Sequence, residues 1–327
     1  MGQGVTARRV VLTGATGFVG SAVLRELRGR RAGDRSDAAA SRTVVRTVGR
    51  RPAAEADGEW FAADLADPAS LRGACEGADV LLHLAASLSP DESECAAVNV
   101  AGTEALMAEA VRAGVGRIVH LSTAAVYGPG PHRGAAIGEL DPAPVSAASR
   151  TRLAAERPAL AAGATVLRPG LIVGPGDRWV VAALAELVER VPARWDGGRG
   201  LLSMVGVTDL ARLVTDLAAR PAPGAGEVFH ASHPVPVRNR DLMAVLAGHG
   251  VLPEVERDLG WAECVRRLEE VPGRVSERQF ALLASDHWYR SEEVWTTAGC
   301  RPGPGPLVRI GEAARWYRSH LAALRSG

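Results

Sequence analysis

Apolar and polar residues follow two different periods in the first 170 residues of the chain. Short runs rich in Val, Ile and Leu are typical of buried strands. The stretches between them place apolar residues three or four positions apart, the spacing of a helix that packs one face on a sheet. Strands are predicted at residues 9–15, 42–50, 59–65, 78–86, 116–124 and 163–170. Strands that alternate with helices predict a doubly wound parallel sheet, an α/β fold.

Helices are predicted between these strands at residues 20–30, 70–78, 94–114 and 150–162, with a polar loop at 31–41. The later pattern is looser and more helical. It predicts helices at 177–191 and 205–220, a strand at 226–232, and a rigid loop at 299–306 before a last helix at 311–325. Thr208 or Asp209 is expected to be the N-cap of the helix at 205–220.

Two domains are expected from this change of pattern near residue 170. Residues 1–170 would form a dinucleotide-binding domain of Rossmann type. Residues 171–327 would form a smaller, mainly helical substrate-binding lobe, interleaved with the last strands of the sheet.

A glycine-rich turn joins the first strand to the first helix. Glycines at this point allow a tight turn and a close approach of the backbone to a pyrophosphate, and the helix N-terminus offers free N–H groups to it. A glycine pattern alone is weak evidence, but its strand–turn–helix context predicts a dinucleotide site. The residues expected to bind the cofactor here are Gly14, Thr16, Gly17, Phe18, Val19 and Gly20.

Further motifs follow in a fixed order, and together with the glycine turn they resemble the extended short-chain dehydrogenases/reductases. They are HLAA at 83–86, NVAGT at 99–103, STAAVYG at 122–128, RPGLIVGPGD at 168–177 and VTDLA at 207–211. The resemblance covers nearly the whole chain. It implies a Rossmann fold with a substrate lobe and a nicotinamide cofactor.

The resemblance also implies where the cofactor lies. Asp64 and Leu65 would border the adenine, although Asp64 could instead be the cap of a helix. Asn99 would open a helix beneath the active site. The residues expected along the riboses and the nicotinamide are Leu84, Ala85, Ala86, Leu121, Pro169, Gly170, Leu171 and Ile172.

The end of the second strand distinguishes NADP from NAD. A carboxylate there accepts a hydrogen bond from the ribose 2′-hydroxyl, whereas arginine pairs with a 2′-phosphate. Gly49 stands where the acid would be, and Arg50 and Arg51 follow. We therefore expect NADP, with NAD possible if both arginines are ordinary solvated side chains.

The catalytic residues depart from the family pattern. The stretch PVSAASRTRLAAE matches a family motif whose tyrosine donates a proton and whose lysine binds the nicotinamide ribose, but Ala148 and Arg152 stand at these two positions. The chain contains no lysine at all. Arg152 could still hold the ribose, although arginine does not relay protons. Thr123 is expected to be the catalytic hydroxyl, with Ser122 as its alternative.

The remaining candidates for a proton donor are weak. Tyr127 belongs to a motif that is mainly structural in the family, and His132 is expected to be a solvated loop residue. His83 and His120 are expected to be packed in strands. The run SDHWY at 285–289 could touch substrate from the lobe, with no chemistry assigned to it.

These observations predict an NADPH-dependent ketoreductase. A ketone beside a phenol or enol hydroxyl carries its own hydrogen-bond donor, so an aromatic polyketide of the angucyclinone type could replace the missing tyrosine. Two alternatives are an NADP-binding sensor or scaffold without turnover, and a sugar-nucleotide epimerase or dehydratase. The epimerase or dehydratase reaction depends more heavily on the absent tyrosine.

Charge and composition narrow the choice of partners. The formal net charge is +1 and no basic stripe is present, so a small-molecule substrate is expected and nucleic acid is not. No apolar run reaches the length of a membrane span. The four cysteines are far apart and form no metal-ligand or disulfide pattern. We expect no bound metal, a cytoplasmic location, and a monomer or homodimer.

Overall fold

A parallel sheet of seven strands forms the centre of the computed structural model, which describes residues 8–33, 43–54, 58–222 and 224–326. Its order is β3-β2-β1-β4-β5-β7-β12. The strands of the described chain are β1 Arg9–Thr13, β2 Val44–Gly49, β3 Glu59–Ala62, β4 Val80–His83, β5 Arg117–Leu121, β6 His132–Ala135, β7 Thr165–Arg168, β8 Leu171–Val173, β9 Arg194–Trp195, β10 Leu201–Leu202, β11 Met204–Gly206, β12 Glu227–His230, β13 Val237–Arg238, β14 Asp258–Leu259 and β15 His287–Tyr289. All six strands predicted in the first half lie in this sheet, and the strand predicted at 226–232 is its edge strand β12.

Helices cover both faces of the sheet, as the doubly wound prediction requires. The helices are α1 Phe18–Gly33, α2 Glu92–Cys95, α3 Gly102–Arg112, α4 Ala147–Ala161, α5 Val180–Arg190, α6 Val207–Ala219, α7 Asn239–Gly248, α8 Trp261–Glu270, α9 Glu277–Ala284, α10 Glu292–Ala298 and α11 Pro306–Ser326. One apolar core joins α1 and α6 to one face, and a second joins α3 and α4 to the other. The central strands β4, β5 and β7 are therefore buried along their whole length.

The later part of the chain builds a separate apolar core around Trp195, Phe280 and Tyr317. A four-stranded sheet in the order β13-β10-β15-β6 borders it. The strand β6 comes from the segment between β5 and β7, so this sheet draws on chain on both sides of residue 170.

Several boundaries differ from the sequence predictions. The predicted N-caps Thr208 and Asp209 are wrong, because α6 begins at Val207 with Gly206 as its cap. The carboxylate of Asp209 is instead bound by Arg309. Residues 70–78 form no α-helix, since the 3₁₀ helix Pro68–Leu71 is followed by turns.

Two further helices start earlier than expected. The last helix, α11, begins at Pro306, because proline is well tolerated in a first helical turn. The helix α4 begins at Ala147, where the Ser146 and Ser149 side chains form a capping box. The loop predicted at 31–41 is helical up to Gly33, and its remainder lies outside the described residues. No helix within the described ranges is long and apolar enough to cross a membrane.

Candidate active site

The glycine turn brings the start of α1 directly against the ends of β1 and β4. Gly14 has φ +73°, and a Cβ there would lie 2.7 Å from the Ala85 backbone nitrogen. A Cβ at Gly20 would lie 2.0 Å from the Gly14 carbonyl oxygen, which also accepts a hydrogen bond of 2.9 Å from the Gly17 N–H. Only glycine fits these positions. The close packing and the free N–H groups at the start of α1 suit a pyrophosphate, so the residues present fit a dinucleotide.

The other residues of this turn contact either the cavity or the core. Thr16, Gly17 and Phe18 line the large cavity described below. Val19 is 8% exposed and packs in the core between α1 and the sheet, so only its backbone is available to a cofactor.

The residues expected at the adenine lie at the carboxyl end of β3. Asp64 is half-buried, and its carboxylate accepts from the Ala66 N–H. The following 3₁₀ helix is capped by Asp67 and not by Asp64. Leu65 packs against the second core and lies against Gly102.

Asn99 does not open a helix, which corrects the sequence prediction. It lies in a π-helical segment, Ala96–Ala101, that joins α2 to α3. Its amide nitrogen donates to the Ser87 carbonyl and the Thr151 hydroxyl, and its carbonyl accepts from the Ser87 N–H. Asn99 therefore fixes the loop after Ala86.

The predicted ribose and nicotinamide residues meet at the carboxyl ends of the strands. Leu84 is buried after β4, Ala85 is half-buried and Ala86 is exposed. Leu121 is buried at the end of β5. Pro169, Gly170, Leu171 and Ile172 all line the cavity.

Arg50 and Arg51 follow β2 and are both exposed. Neither forms an ion pair or a side-chain hydrogen bond with another described residue. Val48, near the end of the same strand, pairs with Thr13 at the start of the glycine turn. Among the described residues neither guanidinium group has an ion-pair partner, and both arginines follow the strand that pairs with β1, which leads into the glycine turn.

Thr123 and Ser122 have different surroundings, which decides between the two candidate hydroxyls. Thr123 lines the cavity, and its Oγ1 accepts a hydrogen bond of 3.1 Å from the Ala125 N–H. Ser122 is fully buried, and its hydroxyl donates to Glu156. Of these two residues, Thr123 lines the cavity and Ser122 does not.

A buried polar network holds the segment beneath Thr123. Glu156 accepts from Ser122 and forms an ion pair of 2.5 Å with Arg168. Arg168 also donates to the Tyr127 hydroxyl at 2.7 Å, and Tyr127 donates to His230 Nε2 at 2.8 Å. The Tyr127 hydroxyl is thus fully engaged, so Tyr127 is structural.

Arg152 extends from α4 towards the end of β5. One terminal nitrogen, Nη2, donates to the carbonyls of Leu121 and Ser122. Its Nε is buried without a hydrogen-bond partner among the described residues. Burial lowers the pKa of Arg152 to about 10, so it remains a cation at neutral pH. The structure therefore places the positive charge of Arg152 against the backbone next to Thr123, and Nε makes no hydrogen bond with a described residue.

A cavity of about 1050 Å³ opens in front of Thr123 and connects the glycine turn to the lobe. Ser146 and Ser149 line it near Ala148, and both hydroxyls are engaged in the cap of α4. From the lobe it is lined by Leu202, Ser203, Glu277, Arg278, Gln279, Ala281, Leu282, Ser285, His287 and Tyr289. The run at 285–289 therefore does reach the site.

Five strands of the two sheets each bury one histidine: His83, His120, His132, His230 and His287. His132 is only 8% exposed in β6, so the prediction of a solvated loop residue is wrong. His287 Nε2 accepts from the Gly130 N–H. Burial lowers the pKa of His83, His230 and His287 to about 4. His120 is buried too, and its ring nitrogens have no hydrogen-bond partner in the described part of the chain.

The fold and the glycine turn define an enzyme that uses a dinucleotide. The chain matches the model of the NAD dependent epimerase/dehydratase family over residues 10–231, and it belongs to that family. It is therefore a nicotinamide-dependent oxidoreductase of the extended short-chain dehydrogenase/reductase type.

Individual relatives include two reductases. A 4-hydroxy-2-methyl-3-oxo-4-farnesyl-3,4-dihydroquinoline-1-oxide ketoreductase of Stigmatella aurantiaca is 32% identical over 253 residues, which cover 73% of this chain and 72% of the relative. A 2-alkyl-3-oxoalkanoate reductase of Stenotrophomonas maltophilia is 29% identical over 96% of this chain and 100% of the relative.

Solved structures share the fold. A short-chain dehydrogenase/reductase superfamily protein from Agrobacterium tumefaciens with bound NAD has a TM-score of 0.72 and 24% identity. The alignment covers 98% of this chain and 100% of that protein.

Proposed function

We propose that the protein is an NADPH-dependent ketoreductase that transfers hydride to a ketone of a phenolic aromatic polyketide, of the angucyclinone type. The observation that carries this proposal is the large cavity in front of Thr123, which Ser146 and Ser149 line on either side of Ala148, in a chain that contains no lysine. The substrate's neighbouring hydroxyl would supply the hydrogen bond that the family's tyrosine provides. We infer a cytoplasmic enzyme that acts on a diffusible small molecule.

The chain's residues would divide the work as follows. A reduced nicotinamide, when bound, supplies the hydride. Thr123 orients the ketone oxygen, and the phenol beside the ketone donates to that oxygen as negative charge develops there. Once hydride has added to the carbonyl carbon, the phenol proton passes to the alkoxide oxygen, and the resulting phenolate takes a proton from solvent. A preorganised donor at such an oxygen contributes about 3 kcal/mol to the transition state.

Arg152 would hold the nicotinamide ribose through Nη1, which makes no hydrogen bond with a described residue and is not enclosed. Its Nη2 is occupied by the Leu121 and Ser122 carbonyls, and its Nε is enclosed by the protein. A guanidinium that stays charged can fix the ribose but does not pass protons on. The proposed role of Arg152 is therefore binding and not proton transfer.

The exposed, unpaired arginines after β2 support NADP as the cofactor. Arg50 and Arg51 can reach a 2′-phosphate without breaking an ion pair, since neither has one with a described residue. Arginine pairs with phosphate in a bidentate geometry that a ribose hydroxyl does not offer.

The name of one relative supports the class of substrate. The Stigmatella aurantiaca ketoreductase acts, by its name, on a dihydroquinoline that carries a 3-oxo group next to a 4-hydroxy group. Carbon 4 of that compound carries both the hydroxyl and the farnesyl group, so its hydroxyl is a tertiary alcohol and not a phenol. What it shares with the substrate proposed here is a hydroxyl next to a ketone on a fused ring system.

The cavity argues against a sensor or scaffold, and the missing tyrosine argues against an epimerase or dehydratase. A sensor or scaffold could fill the space over the nicotinamide with its own side chains, whereas here the cavity extends from the glycine turn to the lobe residues Leu202 and Leu282. An epimerase or dehydratase removes a proton from a sugar hydroxyl with the tyrosine that Ala148 replaces. Reduction of a ketone with a neighbouring hydroxyl needs fewer hydrogen-bond donors from the protein, because the substrate's own hydroxyl is one of them.

Three model ketones test the proposal: 8-hydroxy-1-tetralone, its methyl ether and unsubstituted 1-tetralone. We expect NADPH-dependent reduction of the first, with kcat for the methyl ether lower by about 10²–10³-fold. Competition between the ether and the hydroxy ketone establishes that the ether occupies the site. Reduction of a bound methyl ether at the rate of the phenol would show that the proton comes from protein or water.

A doubly substituted protein tests the same idea with the substrate unchanged. Ala148→Tyr combined with Arg152→Lys rebuilds the family's pair. We expect no gain in the reduction of 8-hydroxy-1-tetralone, because its donor is already in place. A large gain would mean that the native site lacks a donor and that the hydroxyl does not assist.

A further inference from the structure

Tyr289 has the one tyrosine hydroxyl that finds no hydrogen-bond partner among the described residues. The Tyr127 hydroxyl is held by Arg168 and His230. The Tyr317 hydroxyl accepts from the Gly174 N–H and donates to Asp177. Tyr289 is only 4% exposed, and it lines the cavity in front of Thr123. Its hydroxyl is not one of the enclosed polar atoms that lack a partner, so it is open to the cavity, and a group that enters there can accept its hydrogen bond.

Tyr289 lies between the two segments that would flank the reacting atoms. Its ring packs in one cluster with Ala124, the neighbour of Thr123. Its backbone N–H donates to the Ser203 hydroxyl at 2.9 Å, and the Ser203 carbonyl accepts from the Leu171 N–H at 2.9 Å. Tyr289 is thus one residue removed from the proposed nicotinamide wall.

The ring of Tyr289 is fixed in place by its neighbours. It stacks on Tyr127 with 5.2 Å between ring centroids, and it contacts His230 at 4.9 Å and His132 at 5.7 Å. A ring held on several sides presents its hydroxyl in one position, which reduces the entropy lost when a ligand binds.

The charge state of Tyr289 suits a hydrogen-bond donor. Burial raises its pKa above the ordinary value, with a further increase from Tyr127. The phenol therefore stays protonated near neutral pH. It can donate to an oxygen, but it does not act as a base.

We propose that Tyr289 determines substrate specificity, by donating its hydroxyl hydrogen to the substrate oxygen that neighbours the ketone. This inference rests on the proposed function, because it assigns a partner to the hydroxyl that assists the reaction. The phenol oxygen accepts from Tyr289 while its own O–H points at the ketone. Hydrogen bonds in such a chain polarise one another, which strengthens the donor at the ketone. No proton leaves Tyr289.

The test measures binding of two probes, 8-hydroxy-1-tetralone and 1-tetralone, to the full chain saturated with NADP⁺, by calorimetry. No turnover occurs with the oxidised cofactor. In the wild type the hydroxyl should improve affinity by about tenfold, the effect of one buried hydrogen bond. In Tyr289→Phe, which keeps the ring, the two probes should bind with equal affinity.

Trp288→Phe is the matched control. Trp288 precedes Tyr289 in β15, and its indole packs on Gly134. This variant should keep the tenfold preference for the hydroxylated probe. Should Tyr289→Phe not fold, a crystal structure of the wild-type ternary complex decides the matter. A Tyr289 hydroxyl within about 3.2 Å of the probe's phenol oxygen supports the inference, and a separation beyond hydrogen-bond range overturns it.

The possible failures can be told apart. Reduction of 8-hydroxy-1-tetralone together with an unchanged preference in Tyr289→Phe leaves the proposed function standing and removes Tyr289 from it. A wild type that binds the two probes equally likewise overturns the inference. A wild type that binds NADPH but neither probe overturns both proposals.

Discussion

Two glycines of helix α1 give a matched test of the dinucleotide site. A Cβ at Gly20 would lie 2.0 Å from the Gly14 carbonyl oxygen and 2.5 Å from the carbonyl carbon. Nothing lies within 4 Å of a Cβ at Gly29 in the same helix. Both Gly→Ala substitutions therefore add a methyl group to the same helix. The one at Gly20 lies against the glycine turn, and the one at Gly29 lies in open space.

The size of each effect follows from these distances. In Gly20→Ala the Gly14 carbonyl must retreat by roughly 1 Å to relieve the contact, and a misplacement of this size can cost about 100-fold in a positioned site. We expect NADPH affinity to fall by about that factor. Gly29→Ala should leave NADPH affinity unchanged and raise the free energy of unfolding by roughly 0.5–1 kcal/mol, because alanine favours the helix.

Fluorescence titration with NADPH measures the affinity of both variants, and thermal unfolding measures their stability. Loss of secondary structure in Gly20→Ala is excluded by circular dichroism before the titration. A folded Gly20→Ala that binds NADPH within threefold of the wild type would refute the assignment of the glycine turn as the pyrophosphate site.

Three further predictions concern the charged and titratable groups. Arg50→Ala with Arg51→Ala should weaken NADPH binding by about tenfold or more and leave NADH binding nearly unchanged, because only the 2′-phosphate loses its partners. Arg152→Ala should mainly raise the cofactor KM, since the residue is expected to bind and not to transfer protons. Stability should fall as the pH drops from 6.5 towards 4, by up to about 1.4 kcal/mol per pH unit for each of the three buried histidines whose pKa is near 4.

The sign of the pH effect comes from the histidine pKa values. They are lower in the folded chain than in the unfolded chain, so the unfolded chain binds more protons between pH 6.5 and 4. Above pH 6.5 the three histidines make their full contribution to the free energy of unfolding. Urea unfolding at several pH values checks it, and a flat profile would contradict it. For the arginines, equal losses for NADPH and NADH, or a collapse of kcat at unchanged KM in Arg152→Ala, would contradict the roles given.

The sheet could be predicted from the sequence because its central strands are buried on both faces. Runs such as Val80–His83 and Arg117–Leu121 bury every residue, so the local pattern and the fold agree. The glycine turn was recognisable for the same reason, since its spacing follows from contacts between adjacent elements. Helix ends were less predictable: a glycine caps α6, while Asp209, the expected cap, is bound by Arg309 from α11.

Apart from the run at 285–289, the lobe side of the site was not predictable, because pairing between distant strands decides it. His132 looked like a loop residue in a Pro- and Gly-rich stretch, yet it is buried through pairing of its strand with His287–Tyr289. Tyr289 lacks the lysine or arginine four residues later that would mark a catalytic tyrosine of this family, since Glu293 stands there. Its place in the cavity depends on Ser203 and on a strand far earlier in the chain. Nothing local in the sequence encodes such contacts.

The strand β6 has a consequence for the construction of chimaeric enzymes. A recombinant that takes its first 170 residues from one parent and the rest from another would separate β6 from its partner β15, and β7 from its partner β12. The four-stranded sheet and the edge of the main sheet would then each pair strands from different parents. To exchange substrate range between relatives, β6, β10, β13 and β15 must therefore all come from the same parent. A single crossover near residue 170 would yield poorly folded hybrids.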